Sequence, residues 1–341
     1  MIGETMLGAG FIALAISLVF CLAAAPLASV LGLMDHPDGA NGRKRHKRPT
    51  PLFGGIAVMV PTLLAIPYYS PALQGAGFAI LAASAGTLLI GAIDDRRHIN
   101  PHLRLVLSAG ILLAAILSSP DLRLLSLGFT FLEGPAYLGS FIGTSLTLIC
   151  LLGLQNAVNM ADGKNGLVLG LSIIWCVFLM VVAPAEWMAV LAVMLVALAV
   201  VFGFNIAGRL FLGDAGSYSL SVMLGLLSVY IHNKSPVSLP ADTVLLWFLI
   251  PVADCIRLIF KRARDGRPVF TGDRNHLHHL IYDAMPWRYG LPLYLGLVGI
   301  PGAMALFVPA TAPLMIAIQL GLYAMLLLGY TRRPLGVGGM S

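Results

Sequence analysis

GAGFAILAASAGTLLIGAIDDRRH, residues 75–98, decides the fold. Gly75 to Ile93 carry no charge, and a helix crosses a bilayer with about 20 apolar residues. The run ends on adjacent carboxylates, Asp94 and Asp95, followed by Arg96 and Arg97. Two carboxylates at a membrane boundary are costly unless a metal, a phosphate-bound metal or an arginine shares the site. One stretch therefore predicts a membrane-spanning helix and raises the question of what neutralises its end.

The rest of the chain agrees with the first half of that reading. Of 341 residues 58% are hydrophobic and 11% charged, and the mean hydropathy is +0.90. Soluble domains carry about 25% charged residues, so an all-α polytopic membrane protein, one integral domain over 1–341, is expected. Eleven spans are predicted, near 8–33, 54–71, 75–93, 104–119, 138–158, 166–183, 187–206, 217–232, 243–260, 291–308 and 312–330. Glu4 and the lack of a basic N-terminal region favour a retained first span over a cleaved signal. The four cysteines all sit in apolar runs without CxxC spacing and read as packing residues.

Alternating the loops between two sides puts all but two of the 21 Lys and Arg on or within a turn of one side. The exceptions are Arg123 and Lys234. That asymmetry marks the basic side as cytoplasmic, with the N-terminus outside and the C-terminus inside. The net charge of +6 then reflects orientation rather than nucleic-acid binding, and no nucleic-acid partner is expected. The cytoplasmic loops are 34–53, 94–103, 159–165, 207–216 and 261–290. In the outer loop 119–137, Leu125, Leu127 and Phe129 alternate with Ser126 and Gly128, which predicts a short β-hairpin.

Four acidic stations fall on the cytoplasmic side. Asp94–Asp95 is either a solvated helix end balanced by its arginines or a hard oxygen site for Mg²⁺ or a base. In NAVNMADGKNG, Asn156, Asn159 and Asp162 are three apart and share a helix face. A turn at Asp162–Gly163 accounts for the aspartate. It leaves two amides deeper in the helix, where polar groups are expensive unless they bind something. In FLGDAGS, Asp214 opens a span, as an N-cap or as a ligand for a cation that bridges phosphates. In DRNHLHH, Asp273, Arg274, His276, His278 and His279 suit diphosphate recognition better than zinc, for which no Cys or Glu is spaced. Asp254 and Arg257, inside a span, read first as an i,i+3 pair neutralising each other, with a place lining the site left open. The basic run Arg43–Arg48 suits anionic head groups, and one of its members, Lys47, is a candidate for a nucleotide phosphate. No Walker A, GxSxG or GxGxxG sequence is present.

DDRR, NAVNMADG, FLGDAGS and DRNHLHH, in this order, resemble the polyprenyl-phosphate N-acetylhexosamine-1-phosphate transferases. The match runs from RKRHKRPTPLFGG to DRNHLHHLI, and the DRNHLHH form looks like the WecA-type branch. The resemblance implies about eleven spans and a cytoplasmic site in the bacterial inner membrane. It implies transfer of N-acetylhexosamine-1-phosphate, foremost GlcNAc-1-phosphate, from a UDP-sugar to undecaprenyl phosphate with release of UMP, starting a cell-surface polysaccharide. The cofactor implied is Mg²⁺, with Mn²⁺ as an alternative, and a homodimer stays open. Carried over by position, Asp214 with Asp95 becomes the metal site. Asp94, Asp95, Asp162 and His276 become catalytic. Asn156, Asn159, Asn165, Lys47, Arg274, His278 and His279 become substrate contacts. Asn165 departs from the branch, which has an acid there. The alternatives are the same chemistry on UDP-MurNAc-pentapeptide or a modified N-acetylhexosamine, and a transporter with cytoplasmic gating residues.

Overall fold

A computed structural model describes residues 2–37, 48–69, 73–235, 239–268 and 274–331. Lys47 and Asp273 lie outside the described residues. Among the described residues the chain is helical, with two small two-stranded ribbons. Eight helices are long and apolar enough to cross a membrane, or nine if the bent pair Leu7–Leu22 and Ala24–Leu31 forms one span. The chain is thus a multi-pass α-helical membrane protein.

The helices are α1 (Ile2–Leu22), α2 (Ala24–Leu31), α3 (Gly54–Tyr69), α4 (Phe78–Arg97), α5 (Pro101–Ser118), α6 (Ser140–Ala161), α7 (Leu167–Val182), α8 (Ala185–Ile206), α9 (Gly213–Lys234), α10 (Ala241–Arg264), α11 (Leu277–Ala284), α12 (Trp287–Phe307) and α13 (Ala312–Thr331). The structure departs from the eleven straight spans in three places. The first is bent by 65° between α1 and α2. The second and sixth, α3 and α7, are only 16 residues long, shorter than about 20. The third departure concerns helix ends. Helix α4 continues through Asp94 and Asp95 to Arg97, and α9 begins before Asp214. Both acidic stations therefore sit on helical turns, where their side chains are held, and not on loops. The expected loop 261–290 likewise contains α11, with His276 as its N-cap residue.

Helix α9 is the axis of the bundle. It has the lowest hydropathy of the candidate spans, yet its apolar window is wholly buried. It carries Ser217, Ser219, Ser221 and Ser228, all buried. Ser219 Oγ donates to Ala215 O (2.6 Å), Ser221 Oγ to Ser217 O (2.7 Å) and Ser228 Oγ to Leu224 O (2.8 Å). The helix satisfies these three hydroxyls itself, so neighbouring helices need no polar partner for Ser219, Ser221 or Ser228.

The expected hairpin in 119–137 forms, with Ser126–Leu127 (β3) antiparallel to Ala136–Tyr137 (β4). It is fastened to α9 and α10. The ring nitrogens of His232 meet Leu239 O (2.8 Å) and Ser126 O (3.2 Å). Thr130 Oγ1 donates to the buried Asp242. The four cysteines are free thiols; Cys150 is exposed, unlike the other three.

Candidate active site

The first turn of α9 is the meeting point of three of the four stations. It is threaded between two glycines. A Cβ at Gly55 would stand 2.2 Å from Gly216 N, and one at Gly91 would stand 2.4 Å from the backbone of Ala215. Only a missing side chain lets α3, α4 and α9 approach this closely. The segment before α9 is tied down as well. Gly54 and Gly55 N–H donate to Phe211 O and Leu212 O (2.9 Å each), and Phe211 N–H donates to Pro51 O (2.8 Å). PTPLFGG and LFLGDAG, far apart in sequence, fix one helix start between them.

The two adjacent carboxylates differ in their work. Asp95 Oδ1 accepts from Asp214 N–H (2.8 Å) and Oδ2 from Ala215 N–H (3.0 Å). It caps α9 from another helix, where orphan amides and the helix dipole favour an anion. Asp94 is 3% exposed. Its Oδ2 accepts from Arg104 Nη1 (2.7 Å) and Tyr218 OH (3.1 Å), and its Oδ1 from Ile99 N–H (2.9 Å). The counter-charge of Asp94 is thus Arg104, ten residues on, and not the neighbouring Arg96 or Arg97.

Asp214 and Asp162 are arranged differently. Asp214 Oδ1 accepts from Asn159 Nδ2 (2.6 Å), which also reaches Ser217 Oγ (3.1 Å). No lysine or arginine pairs with Asp214 or Asp162 among the described residues. Asp162 follows α6 as its C-cap residue. Burial, and after it the negative charge of Asp214, pushes its carboxyl up to about 7. An unfolded chain releases that proton near 3.8. Between those values the folded protein holds more protons, so its stability falls as pH rises. In detergent with a chelator, the melting temperature of wild type should decline relative to Asp162→Asn from about pH 4 to 7 and run parallel above. Parallel curves throughout would contradict this placement of Asp162.

Asn156 Nδ2 turns back to Leu152 O (2.8 Å) on its own helix, and no hydrogen bond joins it to Asn159 or Asp214. Asn165 gives its backbone oxygen to Trp287 Nε1 (2.8 Å), while Lys164 Nζ lies 3.2 Å from the centre of the Tyr282 ring. These contacts dock the 162–166 turn on α11 and α12. His278, 1% exposed, lies beneath Gly163, where a Cβ would meet its Nε2 at 2.4 Å. Its ring is tilted against His279 at 4.2 Å and stacked with His276 at 5.5 Å. Burial holds His278 well below the usual imidazole value, and burial with Lys164 and Arg274 lowers His279 to about 4. Both are neutral at pH 7. Arg274 is exposed, 3.8 Å from Asp283.

Two buried polar residues make contacts to the site's loops that the sequence does not signal. Asn205, 4% exposed, accepts Gly166 N–H on Oδ1 (2.6 Å) and donates from Nδ2 to Leu210 O (2.9 Å), joining the 162–166 turn to the segment before α9. An amide at the end of the apolar run 187–206 is its only signal. Asp254, on α10, accepts from His276 Nδ1 (2.8 Å) as well as from Arg257 (2.7 Å).

Among the described residues no three His, Cys, Asp or Glu side chains form a ready metal cage. The donor set at Asp214 and Asp162 nevertheless fits Mg²⁺: two hard carboxylates without a cationic partner. Mg²⁺ is usually bound through one or two carboxylates, with waters and substrate phosphates completing its shell.

Residues 77–232 match the family described as glycosyl transferase family 4. The chain is 33% identical over 285 residues to an undecaprenyl-phosphate alpha-N-acetylglucosaminyl 1-phosphate transferase of Escherichia coli O157:H7, covering 78% of this chain and 73% of that one. To the protein of that name from Yersinia pestis it is 31% identical over 338 residues, covering 92% and 88%. To a probable undecaprenyl-phosphate N-acetylglucosaminyl 1-phosphate transferase of Bacillus subtilis it is 25% identical over 277 residues, covering 79% and 76%.

Proposed function

The chain belongs to glycosyl transferase family 4, and from that premise we propose that it transfers GlcNAc-1-phosphate from UDP-GlcNAc to undecaprenyl phosphate. The products are undecaprenyl-diphospho-GlcNAc and UMP. An oxygen of the lipid phosphate forms the new bond to the β-phosphorus of the nucleotide sugar, and the bond from that phosphorus to UMP breaks in line. The observation that carries the reading is the convergence of Asp94, Asp95, Asn159 and Asp162 on the start of α9, with His278 packed beneath Gly163 in the adjoining turn.

Asp214 and Asp162 hold Mg²⁺ in this reading, which takes the place of the metal role expected of Asp95. When bound, the cation neutralises the diphosphate and the charge that develops on the leaving UMP. Asn159 orients Asp214. Asp95 fixes the amides of α9, and Arg104 with Tyr218 holds Asp94 in place. A phosphate monoester has its second pKa near about 6, so the attacking oxygen is already ionised at neutral pH. Asp94, with both oxygens engaged, therefore positions Arg104 and α9 and does not act as a base. Neutralisation and alignment of two anionic substrates supply the rate gain.

The distribution of Lys and Arg supports an inner-membrane orientation with eleven spans, α1–α2, α3 and α7 included, and the site toward the cytoplasm. Membranes containing the protein, given undecaprenyl phosphate and UDP-GlcNAc labelled in the sugar, should yield label that extracts into organic solvent. No extractable label from any UDP-N-acetylhexosamine contradicts the reading.

A further inference from the structure

We propose that Asp254 is a positioning residue for His276, fixing through Nδ1 which ring nitrogen faces the reaction. The inference rests on the function proposed above and adds a residue to its site. Asp254 is buried in the middle third of α10. Its Oδ1 accepts from Arg257 Nη2 (2.7 Å) and Tyr323 OH (2.8 Å). Its Oδ2 accepts from His276 Nδ1 (2.8 Å) and Leu277 N–H (3.1 Å). With Arg257 Nε also donating to Oδ1 (3.3 Å), five hydrogen bonds fall on two oxygens, the environment of a carboxylate, which can only accept. Nδ1 of His276 therefore carries a hydrogen, and Nε2 is the nitrogen left to take a proton and, carrying it, to donate to a phosphoryl oxygen.

The arrangement does more than satisfy a buried charge. Arg257 alone would neutralise Asp254, as an i,i+3 pair at this depth predicts. Instead, the second carboxylate oxygen reaches out of the helix to the start of α11. Arg257 Nη2 also donates to Asn275 O (2.6 Å), so the pair grips the residue before His276. Tyr323 brings α13 to the same carboxylate. From His276 the chain of contacts runs by stacking to His278 and from there to Gly163, beside Asp162. Asp254 thus stands behind His276, as a carboxylate behind a metal-binding or catalytic histidine does.

The test is a double-mutant cycle in purified protein. Asp254→Asn should lower kcat about tenfold to a hundredfold, with both KM values within about twofold. Asp254→Glu, which keeps the charge beside Arg257, should recover part of the loss. In a His276→Ala background, Asp254→Asn should cost less than about twofold more, because its effect passes through the ring. Melting temperatures of all variants report folding. If Asp254→Asn does not accumulate, the cycle is run with Asp254→Glu. Additive losses, or a loss confined to KM, overturn the proposal. ¹⁵N-imidazole spectra give a readout independent of turnover: His276 protonated on Nδ1 in wild type and altered in Asp254→Asn. Unaltered spectra also overturn it. A wild-type protein that makes no lipid product counts against the transferase reading instead and leaves the spectral test standing.

Discussion

Asp214→Asn should reduce transfer by roughly three orders of magnitude while the protein accumulates in membranes at its normal level. The amide keeps the shape of the carboxylate and removes its charge. What it removes is half of a carboxylate pair, Asp214 and Asp162, that has no cationic partner among the described residues. Asp95, Asp94 and Asp162 all press negative charge on the same turn of α9, so losing one charge relieves repulsion. Without a divalent cation, the variant should melt no lower than wild type, and Mg²⁺ should raise its melting temperature less. Near-normal turnover at saturating Mg²⁺ would remove Asp214 from the metal site. Turnover and melting must be measured on one preparation, because a folding defect would mimic the first result alone.

Gly91→Ala should be nearly as damaging by another route. Its Cβ would stand 2.4 Å from the backbone of Ala215 and from Asp214 O, and backbone cannot rotate away as a side chain can. To make room α9 must move off α4. Asp95 then loses the two amides it caps, and Asp214 leaves the reach of Asn159. Overpacking of this kind costs about 1–3 kcal/mol, and activity should fall more than about a hundredfold, since small displacements of a positioned site are costly. Gly110→Ala on α5, where a Cβ meets nothing within 4 Å, is the control and should leave both stability and activity unchanged. Equal behaviour of the two variants would contradict the glycine contact as the device that seats α9.

The helices were largely legible because hydropathy reports where a chain avoids water. Run lengths located them, and alternation in 125–129 located the hairpin of β3 and β4. The bend between α1 and α2 and the short α3 and α7 were not, since composition says little of how a helix is bent or cut. The acidic stations were legible as anomalies, but their division of labour was not. Asp94 and Asp95 are neighbours in sequence, yet one pairs with Arg104 and the other caps α9, because successive helical residues point about 100° apart. Arg104 and Tyr218 became partners only through the packing of α4, α5 and α9. Asp254 was legible as half of an ion pair and not as the support of His276, which lies 22 residues on. Asn205 gave no sign beyond being an amide in an apolar run. Partners separated by whole helices have no local signature; spacing rules speak only within one helix.

The central claim is that sugar and phosphate move together. Purified protein given undecaprenyl phosphate and UDP-GlcNAc carrying ³²P in the β-position and tritium in the sugar tests it directly. Both labels should appear in the lipid product in a one-to-one ratio, with one unlabelled UMP released for each. Tritium in the lipid without ³²P, with UDP as the released nucleotide, would contradict it.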